Sequence, residues 1–151
     1  WDFSLTDAEH RRPVDLEARE RAMTFTRQMT VDQVWQRRVD GFPKTWIIQR
    51  ALQFRRNKPE LFGAKSSYGA VRLHGSKARH AVAFHRGGGL VVVVPRLTLQ
   101  LGGDWVETEI VLPEGAWENL FTGETVAGGT CRLADLLKQF PVALLGRMRI
   151  A

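Results

Sequence analysis

The sequence is poor in cysteine and has no long apolar run. Cys131 is the single cysteine in 151 residues, so no internal disulfide can form, which excludes a disulfide-stabilised scaffold and favours a reducing compartment. No histidine stands near it in the sequence, and we expect a small core residue rather than a nucleophile. The most apolar stretch, LVVVV at 90–94, ends at Pro95. It falls far short of the roughly 20 residues that a membrane-spanning helix needs.

The sequence also lacks an initial methionine, and it lacks the basic start and apolar stretch of a secretion signal. We therefore expect a cytoplasmic protein. In the opening WDFSLTDAEHRRPVD, polar residues from Asp7 to Arg12 indicate a loop, Pro13 interrupts any helix, and Asp15 is placed to cap the helix that follows. A loop of this kind normally joins two elements of one domain. Trp1 is therefore expected to mark a cut in a longer chain, with part of the function upstream.

The basic excess of the chain is spread thinly. The net charge is +6 and the isoelectric point is about 10.2, with 13 Lys and Arg against 9 Asp and Glu up to residue 65 and 9 against 7 after it. Arg55, Arg56 and Lys58 form the tightest cluster, at a position where a helix ends and its dipole favours cations. We interpret them as helix-end cations, while a basic nucleic-acid-binding protein stays an alternative.

Metal-ligand patterns are missing as well. His80 and His85 have opposite parity on a predicted strand, and neither a cysteine nor an acid completes a ligand set with them or with His74. We predict surface histidines, no metal and no cofactor.

Up to residue 65 the apolar residues have helical spacing, which predicts three helices. Asp15 precedes LEARERAMTFTRQM as an N-cap, and Thr30 and Gln33 have the spacing of a capping box. Gly41 ends the second helix and Pro43 suits the first turn of the third. The predicted apolar faces consist of Val31, Val34, Trp35 and Val39 on the second helix and of Ile47, Ile48, Ala51, Leu52 and Phe54 on the third.

After Ser66 the spacing of apolar residues changes to two. The β-prone runs are AVRLH, HAVAFHR, LVVVVP, RLTLQL, WVETEIVL, GAWENLF and PVALLG, with LADLLKQF as a short helical turn. They predict an antiparallel β-sandwich in which LVVVV is a central strand covered on both sides and RGGGL is a hairpin connection. The predicted core contains Val82 and Phe84, Leu97, Leu99 and Leu101, and Val106, Ile110 and Leu112 beside Thr108. The fold class is therefore α+β, with a helical segment at 1–65 and a sandwich at 66–151.

Several motifs together resemble one enzyme family. WDFSLTDAEHRRPVD is similar to a stretch of the maltooligosyltrehalose synthases, a branch of the α-amylase superfamily, and DGFPKTWIIQRALQFRRNKPELF, GAWENLFTGE and LLKQFPVALL resemble later parts of the same proteins. The resemblance spans nearly the whole chain. The departures lie at Thr6, Ala8, Glu9 and His10.

The resemblance implies that the chain is the C-terminal portion of a longer enzyme, with its helices from the end of a (β/α)8 barrel and its strands from the appended sandwich. The family isomerises the reducing-end α-1,4 bond of maltooligosaccharides to an α,α-1,1 bond by intramolecular glucosyl transfer. Its three acidic site residues would lie upstream of Trp1, so this fragment alone is expected to be inactive and to pack against the missing barrel. Glu107 and Glu109 alternate along one strand and indicate its solvated face.

Loops at the carboxyl ends of barrel strands build the active site in this fold. The implied substrate contacts therefore come from one loop, and their side chains suit sugar hydroxyls: Asp7, His10, Arg11, Arg12 and Asp15. Asp15 also has the simpler role of a helix cap. A non-catalytic carbohydrate-binding module, with Trp105 and Trp117 stacking on sugar rings, stays a second alternative.

Overall fold

The computed structural model describes residues 15–148. Contacts within the chain divide it into two compact units, one ending at Gln49 and one beginning at Arg50, so that the boundary falls inside a helix. Among the described residues, no helix has the length and apolar character of a membrane span. Five helices and seven strands are present in this range, together with short 3-10 turns.

The first unit is helical, as its spacing predicts. Helix α1 spans Leu16–Gln28, α2 spans Val31–Gln36 and α3 spans Phe42–Asn57. The capping box is present, since the Thr30 hydroxyl accepts from the Gln33 backbone N–H while the Gln33 side chain accepts from the Thr30 N–H. Helix α2 is shorter than predicted, and Gly41 ends the 3-10 turn that follows it with a left-handed φ of 81°, which glycine adopts without steric cost.

The buried faces of these helices differ in part from the predicted ones. Val31 and Val34 are buried as expected, whereas Trp35 and Val39 are exposed. On α3 the buried residues are Phe42, Pro43 and Trp46, and the predicted stripe residues Ile48 and Leu52 are exposed. A buried Thr26 hydroxyl lies 2.8 Å from Gln49 Oε1, and Gln49 Nε2 donates to the Met23 carbonyl at 2.8 Å. These bonds join α1 to α3 within the first unit.

The second unit begins with residues that we expected to belong to the helical segment. After α3, Pro59–Phe62 form a 3-10 turn, and the Leu61 carbonyl accepts from Ser66 Oγ at 2.6 Å and from Arg86 Nε at 3.4 Å. The Leu61 side chain lies directly against Gly87 and Gly89. Leu61 is thus tied to the strands, and the division of the chain by contacts falls at 49/50, whereas the boundary was expected at 65/66.

All described strands join one antiparallel hydrogen-bonded sheet, in agreement with the α+β class. The strands are β1 Tyr68–Ala70, β2 Leu73–His74, β3 Ala81–Arg86, β4 Leu90–Pro95, β5 Glu109–Asn119, β6 Thr125–Arg132 and β7 Ala143–Arg147. Their order is β1-β3-β4-β7-β5-β2, and β6 pairs with β5. The predicted hairpin at RGGGL is confirmed, because Arg86 faces Leu90 across it, and β4 lies centrally between β3 and β7 as expected.

Strand β4 is buried mainly on one side. Val91 and Val93 are fully buried, but Val94 is exposed, so the expectation of a strand covered on both faces is wrong at its end. On β3 the predicted face is inverted, since Ala81 and Ala83 are buried while Val82 is exposed. At these positions the core has room only for small side chains. The apolar character of the residues does not show this limit on volume.

Three further strand predictions are corrected. RLTLQL forms a helical turn, α4 Thr98–Leu101, in which Leu101 is buried but Leu97 and Leu99 are exposed. Trp105 to Thr108 form a turn rather than a strand start, and Val106 is exposed with φ 50°. WVETEIVL and GAWENLF contribute to one strand, β5, and β6 was not predicted. The predicted helical turn in LADLLKQF is α5 Leu133–Leu136, and PVALLG yields β7.

The core of the second unit lies on one side of this sheet. Its members come from four strands, both short helices and the segments next to these helices, and include Ala83, Val91, Val93, Leu101, Trp105, Ile110, Leu112, Trp117, Leu133 and Leu145. Thr108 is buried with Ile110 and Leu112, as their alternation predicts. Its hydroxyl accepts from the Lys77 backbone N–H at 3.1 Å, so this polar group is buried with a partner.

Candidate functional site

Asp15 is the predicted substrate-binding residue that the structure describes. Its Oδ1 accepts from the Ala18 backbone N–H at 2.8 Å, and the residue is exposed at the start of α1. The carboxylate satisfies a helix N–H that has no partner within the helix, and its negative charge suits the positive end of the helix dipole. The other predicted contacts, Asp7, His10, Arg11 and Arg12, lie outside the described residues.

The tryptophans proposed for sugar stacking lie in the core. Trp117 is 0% exposed and its Nε1 donates to the Pro113 carbonyl at 2.9 Å, while Trp105 is 8% exposed. Neither ring offers a free face to a ligand. They therefore do not support the carbohydrate-binding alternative.

His74, His80 and His85 do not gather into a metal site. Among the described residues, no group of three or more His, Cys, Asp or Glu side chains is arranged to hold a metal ion. The prediction of a surface position is wrong for His80, which is 1% exposed. A proton on Nδ1 satisfies this ring, because Nδ1 lies 3.3 Å from the Leu97 carbonyl and Nε2 lies 3.3 Å from the donor Arg79 Nε. His80 thus braces the turn that follows β4.

Cys131 is a half-buried residue of β6 packed against the core. Burial raises the pKa of its thiol, and the negative charges of Asp135 and Glu109 raise this pKa further. A thiolate is therefore disfavoured at neutral pH. Because the thiolate is the nucleophilic form, these surroundings agree with the structural role that the sequence suggests.

A cluster of aromatic rings and a guanidinium lies on the sheet face opposite the core. Tyr68 of β1 stands opposite Arg86 of β3, and its ring centroid lies 5.2 Å from that of Phe84. The Arg86 guanidinium lies 5.9 Å from the Tyr68 ring centroid and 5.4 Å from that of Phe62. We call Tyr68, Phe84 and Arg86 the tyrosine cluster. Sequence reasoning missed it because the cross-strand register that joins these residues is not visible in either strand alone.

Comparisons with known proteins identify one kind of enzyme. No family model matches the chain. Two strains of Mycobacterium tuberculosis have proteins described as maltooligosyl trehalose synthases that are 36% identical to it over 148 residues, which is 97% of the chain and 17% of each relative. The chain therefore spans about a sixth of the length of these relatives.

Solved structures agree with this result. The maltooligosyltrehalose synthase of Arthrobacter ramosus is 34% identical to the chain and has a TM-score of 0.75, with 98% of this chain and 19% of that protein covered. Another maltooligosyl trehalose synthase structure, 21% identical with a TM-score of 0.68, shares the fold. The resemblance seen in the sequence is thus confirmed, and the chain is similar over nearly its whole length to a segment that makes up less than a fifth of these maltooligosyltrehalose synthases.

Proposed function

We propose that this chain is the C-terminal part of a maltooligosyltrehalose synthase, and that the whole protein isomerises the reducing-end α-1,4 bond of maltooligosaccharides to an α,α-1,1 bond by intramolecular glucosyl transfer. The observation that carries the proposal is similarity over nearly the whole chain, in sequence at 36% identity and in fold at a TM-score of 0.75. The substrate would be a maltooligosaccharide bound by the whole protein, in the cytoplasm.

The chain itself supports catalysis and does not perform it in this proposal. A retaining transfer needs two carboxyl groups about 5 to 5.5 Å apart, one as nucleophile and one as acid/base. Several described carboxylates instead have local structural partners: Asp15 caps α1, Asp40 lies 3.0 Å from Arg37 Nε, and Asp104 accepts from the Val106 N–H at 2.8 Å. We assign the catalytic acids to the remaining four fifths of the protein.

The helices of the first unit would form the end of the catalytic barrel and pack against the rest of it. Large apolar side chains on them are exposed, among them Leu16, Met23, Phe25, Val39 and Ile48. Exposed apolar groups of this size mark surfaces that associate with other protein. An intact barrel would cover them, and no membrane or nucleic-acid partner is needed to explain them.

For the sheet we propose the two-layer packing of an amylase-type C-terminal domain. Strands β3 and β5 are separated by β4 and β7 in the strand order, yet side chains of both belong to one core cluster. Neighbouring strands are about 4.8 Å apart, so a flat sheet would hold β3 and β5 well apart. A sheet curled into two layers brings both to a common core.

The segment from Asp7 to Asp15 would supply the substrate contacts of this part of the protein. Asp7, His10, Arg11 and Arg12 offer donors and acceptors for sugar hydroxyls. Asp15 would act at least in part by fixing the start of α1, since its Oδ1 is engaged by the Ala18 N–H.

The test compares the full-length protein with this chain alone, each incubated with maltopentaose. We expect the full-length protein to form an oligosaccharide with a trehalose end, and the 151-residue chain to give no turnover above a buffer control. A full-length protein without this activity would refute the proposed function. Turnover by the chain alone would refute its supporting role.

In the full-length protein, Arg11→Ala and Arg12→Ala should each lower kcat/KM about tenfold, because one charged hydrogen bond to substrate contributes roughly this much. Lys138→Ala, a change at an exposed position of the second unit, serves as the control and should leave kcat/KM unchanged. Unchanged kinetics in both arginine variants would show that the loop does not contact sugar.

A further inference from the structure

The sheet face opposite the core carries an aromatic surface that the proposed active site does not use. On β3, Ala81 and Ala83 face the core, so the alternate residues Val82, Phe84 and Arg86 lie on the opposite face. Tyr68 joins them, since it is paired with Arg86 in the register of β1 and β3. β1 stands at one end of the strand order, which leaves this face accessible from the side.

Tyr68 presents a supported ring to solvent. The residue is 66% exposed, and Phe84, two residues before Arg86 on the neighbouring strand, lies under it in a tilted arrangement at 5.2 Å. Diagonal neighbours on one face of an antiparallel pair are within reach of aromatic side chains. The contact with Phe84 restricts the Tyr68 ring, so less ordering entropy is lost when a ligand stacks on it.

Arg86 provides hydrogen-bond donors beside this ring. Its Nε donates to the Leu61 carbonyl at 3.4 Å, and its guanidinium carbon lies 5.4 Å from the Phe62 ring centroid and 5.9 Å from the Tyr68 ring centroid. A guanidinium has five N–H donors in a fixed fork, so donors remain for a ligand after the Leu61 bond is made. A flat apolar ring beside fixed donors suits a ligand with one apolar face and a rim of hydroxyl groups.

From this geometry we propose that the tyrosine cluster binds a glucose ring of an α-1,4-glucan, as a surface site separate from the segment at 7–15. The choice of ligand rests on the proposed function, which makes a maltooligosaccharide the substrate of the whole protein. The pyranose C–H face would stack on Tyr68, and its hydroxyl groups would accept from the free Arg86 N–H groups. Such a site would hold a long substrate near the enzyme without taking part in the reaction.

Single-stranded nucleic acid is the competing ligand, because residues 50–99 contain ten Lys and Arg and one acid, Glu60. Stacking and basic charge together are typical of such sites. The face around Tyr68 argues against it: the next residues along this face of β3 and β4 are Val82, Val92 and Val94, which are uncharged. A phosphate backbone needs a continuous row of cations, and this face offers Arg86 beside the ring.

Tyr68 is the single tyrosine of the sequence, which makes it a selective probe. Incorporation of 3-fluorotyrosine into the 151-residue chain gives one fluorine resonance, and maltoheptaose should shift it saturably with a dissociation constant on the order of 1 mM. Cellohexaose, with β-linked glucose, should shift it less at the same concentration. The maltoheptaose shift should persist in 0.5 M salt, whereas nucleic-acid binding weakens steeply as salt rises.

Variants are compared through the backbone amide resonances of residues 81–94. Tyr68→Ala should weaken maltoheptaose binding at least about tenfold, while Tyr68→Phe, which keeps the ring, should stay within about threefold. Arg86→Lys should weaken binding about threefold or more, because the donor fork is lost. Phe25→Ala removes an exposed aromatic from the other unit and should leave binding unchanged.

Absence of a saturable shift, an equal response in Tyr68→Ala, or a shift caused only by a salt-sensitive oligonucleotide would each overturn the surface site. A shift that depends on protein concentration without any sugar would overturn it too, because it would assign the face to a second copy of the chain. Loss of the surface site with maltopentaose isomerisation intact in the full-length protein would leave the proposed function standing. The two proposals can therefore fail separately.

Discussion

Val93 and Val94 are adjacent residues of β4 with opposite surroundings. Val93 is fully buried in the core, and Val94 is 39% exposed. Val93→Asp should destabilise the fold by about 4 kcal/mol or more, because a buried carboxylate without a partner is among the costliest substitutions. Val94→Asp should cost about 1 kcal/mol or less. Urea unfolding of both variants measures the difference in the free energy of unfolding. Similar losses of stability would mean either that both faces of β4 are buried or that neither face is.

The sequence did not show which residues of β3 and β4 face the core. LVVVV has no polar residue to mark its outer face, so the sequence does not distinguish Val92, whose side chain is only partly buried, from the buried valines on either side of it. On β3, Val82 and Phe84 are more apolar and larger than Ala81 and Ala83, yet the alanines face the core. Available volume decides this choice, and volume depends on side chains from distant strands.

Cys131 permits a test of pH dependence. Its thiol pKa is raised by burial and by the nearby acids, so the folded state favours the neutral thiol more than the unfolded state does. This stabilisation is complete below the unfolded pKa and is lost as pH rises through the folded pKa. The free energy of unfolding of the parent chain minus that of Cys131→Ser should therefore fall as the pH rises above about 8.5, the ordinary pKa of a cysteine thiol. Urea titrations under reducing conditions measure it, and a difference that rises with pH would contradict the assignment.

Among the elements, strand β5 continues through a proline and a glycine, residues that normally end a strand. Pro113, Glu114 and Gly115 stand between Leu112, which pairs with Gly129, and Ala116, which pairs with Ala127. Three residues thus face Gly128 alone, which is a β-bulge. Proline is tolerated at bulges, where a ladder hydrogen bond is already missing. The sequence therefore looked like two strands separated by a turn, because the same residues are typical of both.

Gly128 is the sensitive position of this bulge. A Cβ there would lie 2.5 Å from the Pro113 carbonyl oxygen and 2.8 Å from Glu114 Cα, both backbone atoms. Gly128→Ala should destabilise the fold by about 2 kcal/mol, because the bulge must shift to admit a methyl group. Gly63→Ala is the matched control, since its surroundings are open and its φ is −70°, and it should be neutral or slightly stabilising. Thermal unfolding compares the two, and equal melting temperatures would show that the bulge yields easily.

The helix starts were more predictable than the strands. Asp15, Thr30 and Gln33 act through hydrogen bonds to residues three positions away, so their partners can be read from the local sequence. The structure of RLTLQL, in contrast, depends on contacts with residues outside this run. Leu97 has a left-handed φ of 51°, and its carbonyl is bonded to the buried ring of His80 seventeen residues earlier. That contact, together with the burial of Leu101 and Trp105, shapes the turn in place of the expected strand.

At the scale of the whole molecule, the family could be predicted from the sequence, whereas the tyrosine cluster could not. The family resemblance rested on runs of identical residues, which do not depend on knowing any contact, and the comparisons confirm it. The predicted site residues lie, Asp15 excepted, outside the described range. The tyrosine cluster depends on pairing Tyr68 with Arg86, and a register of this kind follows from the completed sheet.

The extent of the stable unit is tested best by Leu61, which precedes the boundary expected at 65/66. Its side chain lies against the β3–β4 turn at Gly87 and Gly89, and its carbonyl is bonded to Ser66 and Arg86. If residues 50–62 belong to the sheet unit, Leu61→Ala should destabilise β3 and β4 by about 2 to 3 kcal/mol, as expected for a buried leucine. Leu52→Ala, at an exposed position of α3, should have almost no effect on them.

Amide hydrogen exchange on the intact chain measures this for each strand separately. In the parent chain we expect the slowest exchange in β4 and β7, which carry the fully buried Val91, Val93 and Leu145, and in β3, which pairs with β4. We expect faster exchange in α1, in which Thr26 is the one buried residue. Short helices have little stability of their own in water, so α1 depends on what it packs against. Leu61→Ala should speed exchange in β3 and β4 about thirtyfold or more, the equivalent of 2 kcal/mol. Unchanged exchange in these strands would support the predicted boundary at 65/66, and slower exchange in α1 than in β4 would show that the helical unit is the more stable one.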